Sequence, residues 1–178
     1  MKYQKTEWSK LSKRTLKGTV SMKYLSLATD VKAVAEALGI QSYKIKETIE
    51  AALSVVGINY PNFEDWFGKI FVEALREDTR RDIVLAIEGT QIAGVLILKD
   101  MDGEKKICTL VVLPTFRKQG IGNELFEIAF DYLGTRKPSL SIAQDIVPSM
   151  ASFIRKFKFK LTNIDQSYNK NKAEFYYN

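Results

Sequence analysis

The sequence predicts a mixed α/β fold, a central sheet with helices on both faces, carried by one domain over residues 21–178. Three observations predict it. The chain has 178 residues, 46% of them apolar, enough for one domain that buries roughly 70% of the surface its unfolded chain exposes. The hydrophobic period is helical up to about residue 76, that of buried strands over 83–113, and helical again from Gly120. Finally, an apolar strand, a loop, a helix and a second short strand follow one another over 107–143, a β-helix-β unit after an antiparallel meander.

The elements follow in order. Tyr24 to Thr29 alternates weakly and predicts a short strand. Asp30 is an N-cap for a helix over Val31–Leu38, with Gly39 at its end. A second helix is predicted from Ser42 to about Val55, with Ile45, Ile49, Ala52 and Leu53 on one face. Gly57 and Pro61 break the chain. A third helix, about Glu64–Arg76, carries Trp66, Phe67, Ile70, Phe71 and Leu75 at helical spacing, a set that reads as core rather than as a ligand cage.

Ile83–Ile87 and Ile92–Leu98 are buried-strand runs joined through Glu88-Gly89-Thr90-Gln91, hence a hairpin. Asp100–Gly103 is the next turn, and Ile107–Leu113 is a third apolar run, ended by Pro114. From Gly120 the apolar residues Ile121, Leu125, Ile128, Ala129 and Tyr132 share a helical face, which Gly134 closes. Leu140–Ala143 is a short strand, Pro148 to about Phe157 a helix, and Phe159–Thr162 and Glu174–Tyr177 the last strands.

Composition removes several chemistries. The chain has no histidine and one cysteine, Cys108. Serine or cysteine catalysis through imidazole and metal sites that need histidine or several cysteines therefore fall away, and no metal is expected. Cys108, on a buried strand with no histidine to activate it, reads as a small core residue. The longest uninterrupted apolar run, Ile92–Leu98, is seven residues, far below the ~20 that span a bilayer. The N-terminus has no apolar core of signal-peptide type. A soluble, cytoplasmic protein without a membrane partner is the expectation. Of the net charge of +6, residues 1–20 carry +5, leaving +1 over residues 21–178. Residues 1–20 are therefore expected to be a basic arm outside the domain.

The segment Leu110-Val111-Val112-Leu113-Pro114-Thr115-Phe116-Arg117-Lys118-Gln119-Gly120-Ile121-Gly122-Asn123 carries the chemistry. A strand ends, a basic loop follows, and two glycines open an amphipathic helix. First-turn amides have no acceptor within the helix and lie at the positive end of its dipole. Glycine lets a phosphate approach the backbone, and Arg117 and Lys118 add charge. The spacing alone recurs by chance in roughly one chain of this length in ten, so the strand-loop-helix context carries the reading.

Here the sequence resembles the GCN5-related N-acetyltransferase (GNAT) family. Arg117-x-x-Gly120-x-Gly122 matches the family's Arg/Gln-x-x-Gly-x-Gly/Ala loop, and Leu110-Val111-Val112 occupies the strand before it. The resemblance covers about residues 60–178 well and residues 1–59 loosely. It implies a central mixed, mostly antiparallel sheet with helices on both faces, and acetyl-CoA as acetyl donor. Leu110, Val111 and Val112 would hold the pantetheine arm through main-chain groups. Arg117, Lys118, Gln119, Gly120, Ile121, Gly122 and Asn123 would hold the pyrophosphate. The activity implied is transfer of the acetyl group to an amine, on a small molecule or a protein.

Two departures matter. Lys158-Phe159 stands where the family often has Gly-Phe, and Ile154 stands where it often has a tyrosine that protonates the leaving thiolate. Leu140-Ser141-Ile142-Ala143 lacks the glutamate base that some members carry there. The catalytic residues are therefore unassigned, and an inactive acyl-CoA-binding module is an alternative. A second alternative is DNA binding: Val34-Ala35-x-x-Leu38-Gly39-Ile40 followed by Ile45 has helix-turn-helix spacing, with Lys44 and Lys46 opening the second helix. Glu47 and Glu50 would face phosphates, so nucleic acid is not the expected partner. A second copy of the chain is a candidate one.

Overall fold

The computed structural model describes residues 21–58, 60–76, 78–169 and 172–178; the basic arm proposed for residues 1–20 lies outside them. The chain runs β1 (Met22–Ser26), α1 (Val31–Leu38), α2 (Ile45–Ala52), α3 (Ser54–Gly57), α4 (Phe63–Leu75), β2 (Arg81–Glu88), β3 (Gln91–Met101), β4 (Glu104–Val112), α5 (Ile121–Leu133), β5 (Ser139–Ala143), α6 (Val147–Lys156), β6 (Leu161–Asn169) and β7 (Lys172–Tyr177). Seven strands form one sheet in the order β1-β2-β3-β4-β5-β7-β6. Only β4 and β5 are parallel; every other pair is antiparallel. The mixed, mostly antiparallel sheet follows from the one β-helix-β crossover, because only a crossover through a helix returns a strand parallel to its predecessor.

Alternation along the strands divides the apolar residues into two cores. One core holds α5 and α6 against the sheet. Its centre is a group of phenylalanines in which Phe126 lies 4.9 Å from Phe157 and 5.2 Å from Phe153, ring centre to ring centre. The other core holds α1, α2 and α4 against Leu27, Ile83, Leu85, Val95 and Ile97. Val34, Ala35, Leu38 and Ile45 of the helix-turn-helix spacing are buried in this second core and Ile40 packs against it, so α1 and α2 lie on the sheet.

Helix α1 has the predicted bounds. Asp30 Oδ1 accepts the Ala33 amide at 2.8 Å, and Gly39 closes the helix at φ +66°. The helix expected over 42–55 is instead three pieces: a single turn of 3₁₀ helix at Ser42–Lys44, then α2, then α3. Leu53 is fully buried and interrupts the run with φ −90° and ψ 2°. The face expected for α4 is also narrower. Phe63, Phe67, Ile70 and Ala74 are buried, while Trp66 and Leu75 face outward. The first strand sits two residues earlier than expected. The chain leaves it where Ser26 Oγ donates to the buried Asp82 carboxylate at 2.6 Å and the Ala28 amide donates to the same group at 3.1 Å.

The departure at Lys158 has a conformational consequence. Helix α6 ends as the Lys158 amide donates to the Arg155 carbonyl and the Phe159 amide to the Ile154 carbonyl. This closure needs a left-handed residue, and Lys158 supplies it at φ +56°. A side chain there is strained where glycine is not. Lys158→Gly should raise stability by about 0.5–1 kcal/mol, read as a higher midpoint in urea unfolding; a lower midpoint would show that the lysine side chain contributes more than the strain costs.

Candidate functional site

Strand β4 is paired on both sides only over its first half. Lys106 and Ile107 pair with Ser139 and Leu140 of β5. Beyond Ile107, β4 continues to pair with β3, while Ser141, Ile142 and Ala143 of β5 pair with β7. The two parallel strands therefore separate and leave a wedge between Cys108–Val112 and Ser141–Ala143. A bulge sits where they part. Leu98 lies opposite Ile107 and Ile97 opposite Thr109, so Cys108 has no partner residue on β3. An extra residue of this kind bends the strand that carries it.

The wedge exposes main-chain groups of known orientation. The Leu113 amide donates to the Ala93 carbonyl at 2.9 Å. In an antiparallel ladder successive residues point their N–H and C=O groups to opposite sides. Val111 therefore bonds to β3, and Leu110 and Val112 point their main-chain groups into the wedge. The Val112 carbonyl accepts Arg117 Nε at 3.0 Å, consistent with that direction. The Arg117 side chain thus ties the loop to the end of β4.

The loop that follows brings Arg117 to Asn123 to the mouth of the wedge. Pro114–Phe116 is a 3₁₀ turn with Phe116 buried, which anchors the loop in the core. Lys118 is left-handed at φ +63°. Gly120 is the N-cap of α5 at φ +86°, with no side chain capping the helix. Among the described residues, the amides of Lys118, Gln119, Gly120, Ile121 and Gly122 have no acceptor. Five consecutive N–H groups at the positive end of a thirteen-residue helix are thus without a partner, a place that favours an anion. Arg117, Lys118 and Gln119 are exposed beside it. The Asn123 side chain accepts Lys156 Nζ at 2.5 Å, which brings a cation of α6 to the same turn.

The two glycines have different reasons. A Cβ on Gly120 would meet nothing within 4 Å, so the space in front of it is open. A Cβ on Gly122 would lie 2.8 Å from Phe153 Cζ. Gly122 lets α6 pack on α5 and does not face the open side. Gly94 on β3 acts similarly toward α5, since a Cβ there would lie 3.1 Å from Leu125 Cδ1.

The remaining candidates fall as follows. Ile154 is half-buried against the core, so the end of α6 offers no proton donor at that position. Cys108 is half-buried, and burial pushes its thiol above the ordinary range, the opposite of what activates a thiol. Sequence reasoning missed Glu174 and Tyr60. Glu174, on β7, is 6% exposed and accepts the Tyr60 hydroxyl at 3.0 Å. In Ala173-Glu174-Phe175-Tyr176-Tyr177 a glutamate at an alternate position reads as solvent-facing. It is buried because β7 is an interior strand and Tyr60, from the loop before α4, packs on its carboxylate.

Comparison with known proteins identifies the family and the fold. The family model described as the acetyltransferase (GNAT) domain matches residues 48–175. No curated protein matches the sequence. Among solved structures, an IAA acetyltransferase from Bacillus cereus is similar over 89% of this chain and 97% of its own, at 16% identity and a TM-score of 0.58. A GNAT family acetyltransferase from Elizabethkingia anophelis, with acetyl-CoA bound, is similar over 66% of this chain and 83% of its own, at 16% identity and a TM-score of 0.52. A nourseothricin acetyltransferase is similar over 56% of this chain, at 17% identity and a TM-score of 0.50; the match spans 65% of that protein's length.

The packing role of Gly122 is testable apart from any ligand. Gly122→Ala should destabilise the protein by about 1–3 kcal/mol through overpacking, and adding Phe153→Leu should recover part of that loss. Additive losses in urea unfolding of the two single variants and the double variant would refute the contact.

Proposed function

Since the chain belongs to the GNAT acetyltransferase family, we propose that it binds acetyl-CoA in the wedge and transfers the acetyl group to an amine, on a small molecule or a protein. The observation that carries this reading is the separation of β4 and β5 beside the uncapped start of α5. A long, thin donor with an anionic centre fits that pair of features. The acetyl-CoA bound to the Elizabethkingia neighbour supports the same donor.

In this reading the main-chain groups of Leu110 and Val112 take the place of a missing strand and hold the amide-bearing pantetheine arm. Val111, turned to β3, keeps the strand in place. The amides of residues 118–122 hold the pyrophosphate, with Arg117, Lys118 and Gln119 around it. Ile121, Gly122 and Asn123 form the turn that presents those amides. The Val112 amide, directed into the wedge, donates to the thioester oxygen and stabilises the charge that develops there as the amine attacks. The C–N bond forms and the C–S bond breaks. A thiol has a pKa near 8.5, so its anion leaves readily and needs no strong acid beside it. The missing tyrosine at position 154 is therefore compatible with turnover.

The test uses the open space in front of Gly120. Gly120→Val places a branched side chain, strained at φ +86°, in space where nothing in the protein lies within 4 Å, so it bars a phosphate from the loop by bulk and by the altered turn without meeting the core. Calorimetric titration with acetyl-CoA should show binding by the wild type and at least a tenfold loss in the variant, ~1.4 kcal/mol or more. Unchanged affinity in a folded variant would refute the assignment.

A further inference from the structure

An acceptor amine is protonated at neutral pH and must lose a proton before it attacks. Strand β5 has no ionisable residue facing the wedge, but its neighbour has one. Glu174 lies directly across from Ala143, the last residue of β5. Cross-strand partners have Cβ atoms about 5 Å apart, and the small Ala143 leaves the glutamate room above β5. Glu174 is buried, and among the described residues no cation lies within ion-pair distance of it. Its partner is a neutral phenol: Tyr60 Oη lies 3.0 and 3.2 Å from its two carboxylate oxygens.

The direction of that hydrogen bond is set by chemistry. A carboxylate only accepts, so the Tyr60 proton points to Glu174. The Gln144 amide donates to the Ala173 carbonyl on β7, so by alternation the Ala143 amide faces the wedge. Glu174 lies opposite Ala143, so the Tyr60 hydroxyl bonded to it lies at that end of β5, beside the wedge, with its proton held by the carboxylate. Burial first, and then the Glu174 charge, push the phenol well above its ordinary range. Tyr60 can take a proton from the wedge only in concert with passing its own to Glu174. Other titratable groups nearby are Tyr176 on β7, Asp165 opposite Glu174 on β6, and the Lys172–Asp145 ion pair.

We propose that Tyr60 takes the proton of the attacking amine and relays its own to Glu174, which is thus the proton sink and positioning residue. The proposal rests on the acetyl-transfer reading above. Of the three ammonium protons, one passes to Tyr60 Oη as the phenol proton moves to Glu174. The nitrogen lone pair so released forms the C–N bond, and the C–S bond breaks. A second proton goes to the departing thiolate and the third stays on the amide. Glu174 returns its proton to water. The base absent from β5 is supplied from the next strand through a residue of the loop before α4.

The test uses two probe amines with acetyl-CoA: butylamine, protonated at pH 7, and trifluoroethylamine, largely neutral there. Release of the CoA thiol gives the rate, and calorimetry gives acetyl-CoA affinity. Glu174→Gln and Tyr60→Phe should each slow transfer to butylamine by about 100-fold or more. They should slow transfer to trifluoroethylamine far less and leave acetyl-CoA affinity unchanged. Tyr60→Phe keeps the ring in place and carries the test if Glu174→Gln does not fold. Equal losses on both amines, or no loss, would overturn the proposal. So would a wild type that binds acetyl-CoA yet accelerates transfer to neither amine. A wild type that does not bind acetyl-CoA would remove the acetyl-transfer reading itself, and the relay with it.

Discussion

A strand that loses its neighbour midway is left with main-chain groups that must find another partner. N–H and C=O groups screened from water are costly when unpaired, and β4 beyond Ile107, half-buried, has a row of groups on one side without a strand partner. The rest of the site is arranged around this gap. The bulge at Cys108 bends β4 where β5 departs. Strand β7 then inserts beside β5 and pairs with the residues that no longer face β4. The Arg117 guanidinium closes on the Val112 carbonyl at the far end. The gap is not a packing defect, because both faces around it are covered by intact cores.

Those cores hold the wedge open. Helix α5 is fixed against β3 by the close approach that Gly94 permits and against α6 by the one that Gly122 permits. Phe126, fully buried, packs against Phe130, Phe153, Phe157 and Phe159 and joins α5 to the end of α6. With α5 so fixed, its first-turn amides stay at the mouth of the wedge. On the opposite face, α1, α2 and α4 bring Tyr60 over β5 and β7. The donor side and the acceptor side of the wedge are thus built by different helices on one sheet.

Local chemistry made much of this legible in the sequence. The Asp30 cap and Gly39 closure bound α1 because both act within a few residues. The hairpin of β2 and β3 and the helix opened by Gly120 were legible for the same reason. What the sequence did not disclose depends on distant contacts. The break at Leu53 follows from a side chain seated in the second core. Gly122 sits in a phosphate-binding spacing, yet its neighbour is Phe153, thirty-one positions later. Glu174 looked like a solvent-facing strand residue until the strand order made β7 interior. The bulge at Cys108 has no local signature at all, since it is defined by register against β3.

The central claim is that the main-chain amides of Leu110 and Val112 are unpaired in the free protein and that acetyl-CoA pairs at least one of them. Amide hydrogen exchange resolved by NMR measures this directly. Without ligand, the Val111 amide should be protected by β3 while those of Leu110 and Val112 exchange much faster; with saturating acetyl-CoA, at least one of the latter two should become protected while Val111 stays as it was. Protection of Leu110 and Val112 already in the free protein, or exchange unaltered by saturating acetyl-CoA, would contradict the account.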